Sequence, residues 1–79
     1  MDRYVAEWRD YRLEVYFHGG TWRFSVYHIP NKKWAWEHDA DDLEDGKSQA
    51  VETAIDDAGV PDEQEDQARA EIKWLRRPK

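Results

Sequence analysis

Seventy-nine residues, 39% hydrophobic and 14% aromatic, suffice for one small domain and are too few for two cores. The lack of cysteine excludes disulfide staples and thiolate metal centres and suits a reducing cytosol, and no apolar run approaches the ~20 residues of a membrane span. The net charge of −6 is unevenly held: residues 1–36 carry six Lys/Arg against four Asp/Glu, residues 37–66 thirteen acids against one lysine, and residues 67–79 five bases against one acid.

The opening "MDRYVAEWRD" has no apolar core and no small-residue cleavage site, so it is expected to belong to the folded protein and the chain to reside in the cytoplasm. Within it, "RYVAEW" fits an edge strand and a short lead-in equally. "DYRLEVYFHGGTWRFSVYHI" alternates strictly on both sides of Gly19-Gly20, a pair suited to a two-residue primed turn. With those glycines as the loop, Phe17 faces Trp22, Val15 faces Phe24, Leu13 faces Val26 and Tyr11 faces His28, all on one side. The other side carries Arg12, Glu14, Tyr16, Arg23, Ser25 and Tyr27. Pro30 and Asn31 mark a second turn, and "WAWE" follows as a third strand. A loop of two or four residues puts Trp34 and Trp36 on the side of Tyr27; a loop of three puts them on the core side.

"EHDADDLEDG", residues 37–46, is read as an acidic loop. In "KSQAVETAIDDAG", Ala50, Val51, Ala54, Ile55 and Ala58 form one apolar stripe at helical spacing, and Gly59 then Pro61 end the helix. "PDEQEDQARAEIKWLRR" repeats the pattern through Ala68, Ile72 and Leu75, with acids in its first turn and bases in its last. The expected architecture is a single α+β domain over 1–79: a three-stranded antiparallel β-meander within 1–37, an acidic loop at 38–46, and helices at 47–58 and 61–76 packed on one sheet face. That face is Tyr11, Leu13, Val15, Phe17, Trp22, Phe24 and Val26.

These residues bear on five chemistries. An EF-hand register from Asp41 places Asp45, Gly46 and Glu52 at positions five, six and twelve. Its third ligand position is Leu43, however, and a strand precedes it where a helix belongs. His18, His28 and His38 lie ten residues apart on a turn, a strand face and the acidic segment, which is no ligand motif, so no metal or other cofactor is expected. Ser25 and Ser48 sit in no nucleophile elbow and there is no phosphate loop, so no enzyme is expected. Tyr16, Tyr27, Arg12 and Arg23 could stack on single-stranded nucleic acid, against the repulsion of the acidic middle.

The acidic residues themselves carry the fifth reading. Asp56 and Asp57 sit in the last turn of the first helix, where the dipole disfavours anions by ~0.3–1 kcal/mol each. Glu52 and Asp56 are like charges four residues apart, costing ~0.2–0.5 kcal/mol. Charge held against local stability points to a positively charged partner surface. The expected patch is Asp39, Asp41, Asp42, Glu44, Asp45, Glu52, Asp56 and Asp57, extended by Asp62, Glu63 and Asp66.

The profile as a whole (short, acidic, cysteine-free, aromatic-rich) resembles the small phage-encoded inhibitors of the anti-CRISPR and DNA-mimic class. That resemblance implies a partner in the bacterial cytoplasm that holds nucleic acid with Lys and Arg, such as a CRISPR effector complex. It implies no direct contact of this chain with nucleic acid or membrane. A small interaction module docking through its aromatic sheet face is the second function the sequence supports.

Overall fold

The computed structural model describes residues 3–77, and of residues 33–36 the backbone only. Alternating residues build four consecutive strands, β1 (Arg3–Trp8), β2 (Tyr11–His18), β3 (Thr21–His28) and β4 (Lys33–Ala40), each antiparallel to the next. Helix α1 (Leu43–Ala58) follows, then a 3-10 turn (Asp62–Gln64), helix α2 (Glu65–Glu71) and a short strand β5 (Leu75–Arg77). β5 returns to pair with β1, so the sheet order is β4-β3-β2-β1-β5.

The expected α+β class and antiparallel sheet are present, but the sheet has five strands, not three. "RYVAEW" is strand β1, tied to β2 through a tight turn at Arg9-Asp10, with Arg9 in the left-handed region at φ 52°. β5 lies inside the segment expected to be helical to residue 76; α2 ends at Glu71 and Ile72 is already extended, at φ −86° and ψ 111°. The first helix begins at Leu43, four residues before the expected start at 47. Asp42 caps it, Glu44 and Asp45 of the supposed loop lie in its first turn, and Asp39 belongs to β4.

The central hairpin pairs as its alternation dictates, with Tyr11 opposite His28, Leu13 opposite Val26, Val15 opposite Phe24 and Phe17 opposite Trp22. Gly19 and Gly20 sit at φ 63° and 80°, the two positive values a type I′ turn demands. A four-residue connection joins β3 to β4. It pairs Tyr27 with Trp34, and an irregularity there then pairs Val26 with Trp36, one residue out of step. The side chains of Trp34 and Trp36, whose facing the sequence leaves open, lie outside the described residues.

α1 lies against β2, β3 and β4. Its buried Ala50, Val51, Ala54 and Ile55 join Leu13, Val15, Phe24 and Val26 in one core, which Trp8, Tyr11, Ala68 and Ile72 extend toward α2. At the hairpin end Trp22 still packs against this core, while Phe17 lies beyond it. They meet edge-to-face at 5.4 Å, but Phe17 is exposed and Trp22 only half-buried. No helix among the described residues is long and apolar enough to cross a membrane.

Helix and sheet approach closely because small residues recur every four positions on the inner face of α1, at Gly46, Ala50 and Ala54. A Cβ at position 46 would stand 2.7 Å from Val15 Cγ1, and Val15 is buried and β-branched, so it cannot swing aside. Gly46→Ala is therefore expected to destabilise the fold by about 1–2 kcal/mol, overpacking outweighing the gain in helix propensity. A lower urea midpoint with unchanged slope is the predicted result.

Candidate functional site

Four of the five acids of residues 39–45 are engaged locally. Asp42 Oδ1 accepts from the Asp45 N–H at 2.8 Å, and Asp45 Oδ2 accepts from the Asp41 N–H at 2.9 Å and from Gln49 Nε2 at 2.7 Å. This is a reciprocal N-terminal cap, and it explains why carboxylates cluster where an EF-hand register could be drawn. Glu44 lies 3.9 Å from Lys47, and Asp39 Oδ1 lies 3.2 Å from Arg23 Nε on the opposite side of the sheet from α1. Asp41 keeps an exposed carboxylate without a partner among the described residues.

The other end of α1 is arranged differently. Gly59, at φ 72°, closes the helix: its N–H bonds to Asp56 O at 3.1 Å and the Val60 N–H to Ile55 O at 3.2 Å, a Schellman turn that folds Val60 back beside Ile55. The chain then turns through Asp62. The result is a groove of about 420 Å³ with Ile55 and Val60 as apolar lining and Glu52, Asp56, Asp62 and Glu65 as its carboxylates. Glu52 is ion-paired with Arg69, which also lies 3.6 Å from Glu65. Hydrogen bonding to Asp62, reinforced by the charge of that neighbour, pushes the Glu65 carboxyl above its ordinary range. Glu63 and Asp66 are exposed beside the groove in the 3-10 turn and the first turn of α2.

The structure thus divides the predicted patch. Glu52, Asp56 and Asp62 line one groove, with Glu63 and Asp66 nearby in sequence. Asp39 belongs to the other sheet face, and Asp42 and Asp45 serve the helix cap. Asp57 has an internal use: its Oδ2 accepts the Tyr11 hydroxyl at 2.7 Å, so its position against the helix dipole has a structural return. Glu65 completes the groove and was not among the expected residues. The helical repeat from Glu52 to Asp56 was readable, but the αL turn that carries the chain back past them places Glu65.

The Tyr11–Asp57 link makes a prediction of its own. Burial, then the bond to Asp57, raises Tyr11 from 10.0 to about 12. The native state therefore holds this proton more tightly than the unfolded chain does. The stability it contributes is complete below pH 10 and is lost as pH rises from 10 to about 12. Tyr11→Phe is expected to cost about 1 kcal/mol at neutral pH and to flatten the decline across that alkaline window, read by urea melts at stepped pH.

On the helix-free sheet face the arginines are matched by acids: Arg3 Nη1 to Glu14 Oε1 at 2.6 Å, Arg12 to Glu7 at 3.7 Å, and Arg23 to Asp39 at 3.2 Å and to Glu37 at 3.9 Å. Arg12 and Arg23, expected to meet phosphates beside Tyr16 and Tyr27, have carboxylates as neighbours, which repel a phosphate. Among the described residues, no three His, Asp or Glu side chains converge as metal ligands. Comparison with protein families, curated proteins and solved structures finds no match to this chain.

Proposed function

We propose that the protein is a non-enzymatic binding inhibitor that docks its acidic α1–α2 side onto a basic protein surface and so keeps nucleic acid from that surface. The observation that carries this reading is the groove at the C-terminal end of α1, where Asp56, Asp62 and Glu65 crowd around Ile55 and Val60. Lysine and arginine have aliphatic stems and cationic heads, so an apolar lining beside carboxylates suits one such side chain from a partner. A cation there would relieve the mutual repulsion of Asp62 and Glu65, and that relief would appear as binding energy.

The exposed acids extend the surface around the groove. Along α1, Glu44, Glu52 and Asp56 are eight and then four residues apart, rises of ~12 and ~6 Å on one side of the helix. Regularly spaced anions on a rigid support can compete for residues that otherwise hold phosphates. A bacterial complex that grips nucleic acid, such as a CRISPR effector, is the partner class that fits both this surface and the sequence profile.

Capture from nuclease-treated bacterial lysate, with immobilised wild type beside Asp56→Asn/Asp62→Asn/Glu65→Gln, tests the proposal when followed by a displacement assay. A protein retained only by wild type should lose its hold on labelled duplex DNA as free wild type is added. If the captured protein binds duplex unaffected at saturating inhibitor, docking does not block nucleic acid and the proposed function is wrong.

A further inference from the structure

The helix-free face holds a second concavity, of about 360 Å³, among Arg3, Glu14, Tyr16, Arg23, Ser25 and Glu37. Its burial is unexpected. Residues on an uncovered sheet face meet water, yet Glu14 is 7% exposed and Ser25 1%. They are directly opposed on β2 and β3, and the neighbouring cross-strand pair is Tyr16 with Arg23. The Arg3 guanidinium lies over the Tyr16 ring at 4.8 Å, and the Tyr16 hydroxyl donates to Glu37 Oε2 at 3.3 Å. The longer side chains thus surround two short polar ones.

Bonding at this floor is incomplete. Glu14 Oε1 accepts from Arg3 Nη1 at 2.6 Å. Arg23 Nε is buried without a hydrogen bond; Asp39 Oδ1 is 3.2 Å away, but out of line for one, so that contact is ionic only. Native proteins rarely leave a buried donor unused, and Arg23 Nε in the lining of a cavity points to a ligand.

The charges select its class. A bare anion would meet Glu14 and Glu37, and a bare cation would meet Arg3 and Arg23. We propose that this pocket binds a small zwitterion of the α-amino-acid type, its ammonium on Glu14 and its carboxylate on Ser25 and Arg23. Opposed side chains across antiparallel strands have Cβ atoms ~4.5–5.5 Å apart, close enough for one such molecule to reach both. The site is independent of the acidic groove, which lies among the helices on the other side of the sheet.

The test is amide-shift titration of ¹⁵N-labelled protein with L-alanine, methylammonium chloride, sodium acetate and acetamide at constant ionic strength. L-alanine should give saturable shifts at Glu14, Arg23 and Ser25, with at least tenfold tighter apparent affinity than the two half-ligands or the amide. Ser25→Ala, a smaller side chain that leaves the fold intact, should weaken L-alanine about fivefold, and Glu14→Gln more. Asp56→Asn/Asp62→Asn/Glu65→Gln should bind it as wild type does. Absence of saturation by L-alanine, equal binding of acetate, methylammonium or acetamide, or an unaffected Ser25→Ala would each overturn the assignment.

Discussion

Phe24→Ala is expected to cost about 3–5 kcal/mol, the usual price of removing a buried aromatic ring from a close-packed core. Phe24 is 1% exposed and sits at the centre of the sheet between Val15 and the inner face of α1. A domain of this size has roughly 4–12 kcal/mol in total, so the variant should be largely unfolded in mild urea. Phe17→Ala is the informative control. Both phenylalanines occupy the same side of the same hairpin, yet Phe17 is exposed outside the core cluster, with its ring against Trp22. Its loss should cost less than about 1.5 kcal/mol. Equal urea midpoints for the two variants would contradict the placement of α1 over Phe24.

That contrast marks how far alternation can be read. Strict period-two patterning around Gly19-Gly20 fixes the pairing of the central hairpin because one slip would expose every core side chain. It does not say how far along the hairpin the helix reaches, so Phe17 and Phe24 look alike in sequence. β1 was undecided because its apolar Tyr4, Ala6 and Trp8 alternate as a strand but are too few to exclude a lead-in. β5 was masked by its composition: Leu75 and the following arginines fit the basic last turn of a helix as well as a charged edge strand. At β4, the irregular step between the partners of Val26 and Tyr27 defeats any register deduced from loop length alone.

For the candidate site, carboxylate spacing on α1 was legible because 3.6-residue periodicity alone places Glu52 and Asp56 together. The functions of Asp42 and Asp45 were not, since an N-terminal cap and a cation loop use the same residue types at nearly the same offsets. Nor was the bond from Tyr11 to Asp57, a contact across 46 residues that no local pattern encodes.

Neutralising the groove should have the second large effect, and on binding rather than on folding. Asp62 and Glu65 repel one another, the exposed Arg69–Glu65 contact at 3.6 Å is lost at little cost, and the Glu52–Arg69 pair is left in place. The triple variant Asp56→Asn/Asp62→Asn/Glu65→Gln should therefore fold with stability within about 0.5 kcal/mol of wild type, or slightly above it. Against a basic partner, three lost charge contacts at ~0.7–0.9 kcal/mol each amount to roughly 30- to 100-fold in affinity. The wild-type interaction should also weaken steeply as ionic strength rises, because the groove is open to solvent.

The most direct measurement is titration of a fluorescein-labelled nona-arginine peptide with three proteins: wild type, the groove triple, and Glu7→Gln/Asp10→Asn/Glu37→Gln. The last carries the same net charge as the groove triple but leaves the groove untouched. Docking at the α1–α2 groove predicts a 30- to 100-fold loss for the groove triple and less than about threefold for the charge-matched control. Equal losses in the two variants would mean that binding follows net charge alone, and would contradict a built docking site at Asp56, Asp62 and Glu65.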